Sequence, residues 1–175
     1  MMHERIRGLS LIEAMVVLAL AASLVLAGVP AFAEAIQRNR VTLALHLLMA
    51  DMAMARSTAV IRGEQVVVCP MDRSGGCSTA SDWSRGWLVF VDLDGDRRPG
   101  AAEQVLRATD APTGPGFALR SSRPYLRYQR DGRSAHSNLT VHVCRHGSVA
   151  GQVVVNNHGR ARSTRPAAGL PCPAG

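Results

Sequence analysis

The segment HGRARSTRPAAGLPCPAG near the end of the chain holds three arginines, Arg160, Arg162 and Arg165. A guanidinium is planar, always charged and forked, so it can take two oxygens of one phosphate or carboxylate at once. Alternate residues of an extended segment point the same way. Arg160 and Arg162 would therefore offer two forks to successive phosphates, while Gly159 would let the backbone turn and come close. Such binding to a polyanion would be largely independent of sequence and steeply dependent on salt.

Other residues invite chemistry as well. In DLDGDRRPGAAE, Asp92, Asp94, Asp96 and Glu103 stand at positions one, three, five and twelve of a calcium loop. The sixth position is Arg97 in place of the glycine that the sharp turn needs, and the flanks read as strands where helices are required. A solvated hairpin loop is the expectation, and no metal is assigned. His142 and Cys144 would share one face of a strand, but their spacing is poor for zinc. His136, His146 and His158 read as surface residues. No nucleophile elbow, phosphate-binding glycine loop or zinc-protease motif occurs, so no catalytic residue, cofactor or enzymatic activity is expected.

The elements that must position these groups follow from length, charge and periodicity. A chain of 175 residues has room for one domain and an appendage. Its net charge is +7, and every one of the 20 basic residues is Arg. Residues 1–62 carry six Arg and four acids, residues 63–116 five Arg and eight acids, and residues 117–175 nine Arg and one acid. The last third is thus a candidate surface for nucleic acid or anionic lipid, with a merely solvated face as the alternative.

From Ala14 to Ala33 the chain carries no formal charge. Those residues make a helix of roughly 30 Å, enough to cross a bilayer core. Arg5 and Arg7 before it predict a cytoplasmic N-terminus. A signal peptide cut after Ala33 would share the basic leader and the apolar stretch. Gly8 and Glu13 argue against it, because a lone carboxylate near a helix end in lipid costs on the order of 1 to 3 kcal/mol and needs a partner.

Beyond the span, Val41, Leu45, Leu48, Met52 and Ala55 form a helical stripe, with Arg38, Arg40, Asp51 and Arg56 largely elsewhere. The helix should end between Ser57 and Arg62, with Gly63 as its stop. Met49, Met52 and Met54 read as core filling. From Gln65 the texture changes to short β-type runs, QVVVC, GWLVFVD, EQVLR, FALR, PYLRYQ, LTVHVC and QVVVNN, with RDGR as a hairpin signal. The fold class is α+β, a long N-terminal transmembrane helix packed on a C-terminal antiparallel β head. Four cysteines beyond the span read as disulfides with three pairings open. Cys69 with Cys77 and Cys144 with Cys172 is favoured: the first closes a small loop, and the second tethers the tail for ~3 kcal/mol.

The stretch RGLSLIEAMVVLALAASLVLAGVP resembles the leader junction of type IV prepilins and type II secretion pseudopilins. The later order of features, GWLVFVDLDGDRRPGAAEQVLR, a Tyr-containing strand with DGR, and VVVNNHGRAR, resembles the GspH/FimT subgroup. The resemblance implies a leader over 1–8, cut by the prepilin peptidase between Gly8 and Leu9 with methylation of the new N-terminus. It implies a pilin helix over 9–62, spanning the inner membrane at about 14–33, and a periplasmic head over 63–175 with a basic tail. Leu9 departs from the Phe that the family most often has. Glu13 would pair with the N-terminal amine of a neighbouring subunit, each charge tolerable when buried only beside the other. Pro30 would bend the helix by removing one hydrogen bond.

The implied partners are other major and minor pilins or pseudopilins, in a pilus or pseudopilus. In FimT-like pilins of transformable bacteria a GRxR motif contacts DNA from a flexible C-terminal segment. Gly159, Arg160 and Arg162 match it, Arg165 adds a third cation, and Arg145 or Arg133 would support them. Two functions stay open at this stage. One is a minor pilin that binds DNA for natural transformation. The other is a structural pseudopilin or pilus-priming subunit whose arginines only solvate it.

Overall fold

A computed structural model describes residues 10–101, 103–134, 136–166 and 169–174. Helix α1 (Leu11–Arg62) precedes eight strands: β1 (Gln65–Pro70), β2 (Gly86–Asp92), β3 (Val105–Asp110), β4 (Phe117–Ser121), β5 (Leu126–Tyr128), β6 (Leu139–Arg145), β7 (Ser148–Val155) and β8 (Ala161–Thr164). The chain forms two compact units, Met1–Arg38 and Asn39–Gly175.

In the first unit α1 is, among the described residues, the one helix long and apolar enough to cross a membrane. It continues through Pro30, whose ring removes a single hydrogen bond from the ladder. Glu13 is exposed in the first turn, at the positive end of the helix dipole. The expected cut between Gly8 and Leu9 lies outside the described residues.

In the second unit α1 buries Val41, Ala44, Leu45, Leu48, Met52, Ala55 and Ala59, the stripe set by helical spacing. It stops at Arg62 because Gly63 takes φ 63°, the left-handed conformation that closes a helix and that glycine adopts without cost. The strands form two antiparallel four-stranded sheets, ordered β3-β2-β1-β5 and β4-β6-β7-β8. Alternation along β1 and β2 sends Val66, Val68, Trp87 and Val89 into a core shared with α1 and with Leu119, Val141, Val143 and Val153 of the second sheet. The opposite face carries Val67, Cys69, Leu88 and Phe90, covered by Met71, Cys77 and Tyr125. Both faces of β2 are thus covered, and the strand is buried along its whole length.

Disulfides join Cys69 to Cys77 and Cys144 to Cys172. The first ties down the loop over the outer cluster. The second holds the C-terminal segment against β7, where Val149 N–H donates to the Leu170 carbonyl and Cys172 N–H to the Gly147 carbonyl, each at 2.8 Å. It also removes the thiolate that a His142–Cys144 metal pair would require.

Four elements of the fold depart from the sequence expectations. Asp51, expected on the solvent side, is fully buried. RDGR does not join paired strands; its turn carries the chain from β5 in one sheet to β6 in the other. β7 begins at Ser148, behind a two-residue turn in which His146 and Gly147 both have positive φ, 48° and 78°. The tail expected to be flexible around Arg162 is strand β8, paired with β7.

Candidate nucleic-acid interface

The chain leaves β7 at Val155 and reverses through Asn156–Arg160 before β8 begins. Gly159 N–H donates to the Asn156 carbonyl at 2.8 Å, and Arg160 N–H to Asn156 Oδ1 at 3.0 Å. Gly159 has φ 74°, and a Cβ there would lie 2.0 Å from the Gly132 carbonyl oxygen. No side chain fits. The glycine serves this close approach between two turns, where sequence reasoning had assigned it to approaching a phosphate.

The second turn is Gln129–Arg133, closed by Gln129 N–H to the Arg133 carbonyl and Gly132 N–H to the Gln129 carbonyl, both 2.8 Å. The turns are joined further by Ser134, whose Oγ donates to the Asn156 carbonyl at 2.6 Å and whose N–H donates to the Asn157 carbonyl at 3.2 Å. From the other side Arg56 Nε donates to the Gly132 carbonyl at 3.0 Å. This holds the turn against α1.

The joined turns gather cations that are remote in sequence. Arg130, Arg133 and Arg160 lie on them, exposed, and Arg162 follows on β8, also exposed and opposite Val154. Asp131 is the acid of the Gln129–Arg133 turn, and its Oδ1 accepts the Arg133 N–H at 3.0 Å. Among the described residues no ion pair engages these four arginines. Arg165 lies beyond the end of β8, where its Nη2 donates to Thr42 Oγ1 at 3.2 Å. Arg145 is not part of the group. It pairs with Ser148 at one end of β7 while Ala161 pairs with Val155 at the other, a separation of roughly 20 Å at strand rise.

Asp51 was missed as a site residue. Its carboxylate accepts from Trp87 Nε1 at 2.8 Å, Thr109 Oγ1 at 2.6 Å and Arg107 Nη1 at 2.9 Å, anchoring α1 to β2 and β3. The signal was present, because position 51 lies three after Leu48 and four before Ala55 on the buried stripe. The acidic loop after β2 also differs from expectation: Arg97 has φ 66°, so the sharp turn forms without the glycine thought necessary.

The family model described as "Type II transport protein GspH" matches residues 44–159. The match takes in α1 from Ala44, strands β1 to β7 and Gly159, and ends before Arg160, strand β8 with its Arg162, and Arg165. Among solved structures the chain is similar to the type IV minor pilin FimU of Pseudomonas aeruginosa strain PAO1 in two crystal forms. One has a TM-score of 0.57 at 20% identity, covering 72% of this chain and 89% of that one. The other has 0.54 at 19%, covering 70% and 91%. At these identities the likeness is one of fold. Comparison with curated proteins returned no match.

Proposed function

The chain belongs to the GspH family, and from that premise we propose that it is a membrane-anchored minor pilin whose head binds DNA without regard to sequence, in support of natural transformation. In this reading the prepilin peptidase removes residues 1–8 and the new N-terminus at Leu9 is methylated. Residues 9–62 form the pilin helix, anchored in the inner membrane with the N-terminus cytoplasmic and the head of residues 63–175 periplasmic. Glu13 pairs with the amine of a neighbouring pilin, and the subunit passes into the pilus as a structural component without enzymatic activity.

One observation carries the DNA reading: Arg133, Arg160 and Arg162 are exposed, free of ion pairs among the described residues, and lie on or beside two turns joined by Gly159 and Ser134. Rigid turns fix where each arginine leaves the backbone, and the planar guanidinium fork loses less freedom per hydrogen bond to phosphate than an ammonium would. If three phosphates are neutralised, log K should fall with log salt at a slope near −2.7, about 40-fold between 50 and 200 mM. Arg165 adds reach beside the helix, whereas Arg145 contributes only to the long-range field.

A second reading, a structural pseudopilin or pilus-priming subunit that binds no DNA, is favoured by Gly159, whose role in the fold is complete without any ligand. A mobility-shift titration of the full-length chain in detergent, beside Arg160→Ala/Arg162→Ala, separates the two. Salt-sensitive binding lost in the double variant supports the DNA reading. Failure of wild type to shift DNA at 50 mM salt leaves the structural one.

A further inference from the structure

The loop between β2 and β3 places three carboxylates around one point. A carboxylate oxygen of each of Asp92, Asp96 and Glu103 lies within 4.8 Å of the others. Calcium takes its oxygens at about 2.3–2.6 Å, so two ligands on opposite sides of the ion are separated by about 4.6–5.2 Å. Three oxygens so placed lie no more than about 2.8 Å from a common centre, so an ion there reaches all three with side-chain shifts of a few tenths of an ångström.

A second observation, independent of the clustering, concerns the end of β2. Asp92 is only 3% exposed, and while its Oδ1 accepts the Gly95 N–H at 2.9 Å, its Oδ2 is buried with no hydrogen-bond partner among the described residues. A buried carboxylate oxygen left without a donor is costly, and native proteins usually give one a donor, an ordered water or an ion.

Among the described residues no cation is paired with Asp92. The guanidinium of Arg97, within the loop itself, is turned to Tyr125, donating to the hydroxyl at 2.9 Å and stacking 5.0 Å from the ring centroid. No ion pair among the described residues joins Asp92, Asp96 or Glu103 to an arginine. Backbone donors nonetheless orient the acids. Leu93 and Gly100 N–H groups donate to the two Glu103 oxygens at 2.7 and 2.9 Å, and Arg98 N–H to Asp96 Oδ1 at 2.7 Å. Each oxygen keeps a lone pair for a metal.

We propose that Asp92, Asp96 and Glu103 form a calcium site that ties the end of β2 to the start of β3, with Asp94 adding charge nearby. All the donors are hard oxygens. The irregular loop suits calcium, which accepts carbonyls and waters to complete six to eight ligands, better than magnesium, which demands a regular octahedron. The site is independent of the arginine cluster.

The test uses the full-length chain in detergent after removal of divalent ions with EDTA, with thermal melts and equilibrium dialysis against calcium. The expected result is one calcium per chain with Kd of ~0.1–1 mM, and a Tm roughly 5 °C higher at 10 mM calcium. Asp96→Asn, an exposed change that should melt like wild type in EDTA, should weaken calcium binding at least ~10-fold, as should Glu103→Gln. Absence of bound calcium at 10 mM overturns the proposal, as does an Asp96→Asn variant that binds calcium like wild type. A Tm rise that magnesium matches at equal concentration would mark a general ionic effect and would also overturn it.

Discussion

Asp51→Ala should be among the most damaging single changes in the head. The substitution removes the acceptor for Trp87 Nε1, which is fully buried and has no route to water, and for Thr109 Oγ1, which is partly buried. An unsatisfied buried donor costs about 1–3 kcal/mol. Arg107 matters less, because its side chain is 50% exposed and its guanidinium can turn to solvent. With the cavity left by the carboxylate, the total should reach about 3–4 kcal/mol, within the range for breaking a buried pair. Asp51→Asn keeps the volume and one acceptor oxygen and should cost about half as much. The assay is urea unfolding of the full-length chain in detergent, followed by the fluorescence of Trp83 and Trp87, the protein's only tryptophans, both fully buried. Arg107→Ala serves as the comparator, with an expected cost under about 1 kcal/mol. An Asp51→Ala cost below about 1 kcal/mol, or an Arg107→Ala cost equal to it, would refute the reasoning.

Gly159→Ala should destabilise by at least ~2 kcal/mol, since the left-handed backbone is strained for alanine and the Cβ meets the Gly132 carbonyl. Gly147→Ala, with φ 78° but nothing within 4 Å of the added carbon, should cost only about 1–2 kcal/mol, and urea midpoints for the pair will separate clash from strain. His142 has its pKa lowered by burial, so the folded state favours the neutral ring. The stability it contributes is present above the unfolded-state pKa and is lost as pH falls through the lower folded value. Tm measured from pH 7 downward should therefore fall, and His142→Gln should flatten that fall.

What could be read in the sequence was local or periodic. The apolar span, the helical stripe from Val41 and the stop at Gly63 depend on neighbours within a turn or two, so composition and spacing reveal them. Strand β8 was not legible, because ARST has no apolar alternation and becomes a strand only through the free edge of β7. Asp51 was misread for a related reason. A carboxylate on a buried stripe is tolerable only with donors, and Trp87 and Thr109 arrive from strands far along the chain. Gly159 and the arginines show the same division. The motif was visible, but the packing of Gly159 on Gly132 and the distance of Arg145 are consequences of sheet order.

Whether the joined turns, and not the protein's overall positive charge, hold DNA is decided most directly by a charge-matched comparison. Arg160→Ala/Arg162→Ala and Arg73→Ala/Arg85→Ala remove the same net charge, the second pair from exposed positions between β1 and β2. Affinities of the two full-length variants and wild type for one DNA duplex would be measured in detergent at 50 and 200 mM salt. The expected result is at least a ~10-fold loss and a shallower salt slope for the first variant, with the second close to wild type. Equal losses in both variants, or no loss in the first, would contradict the assignment.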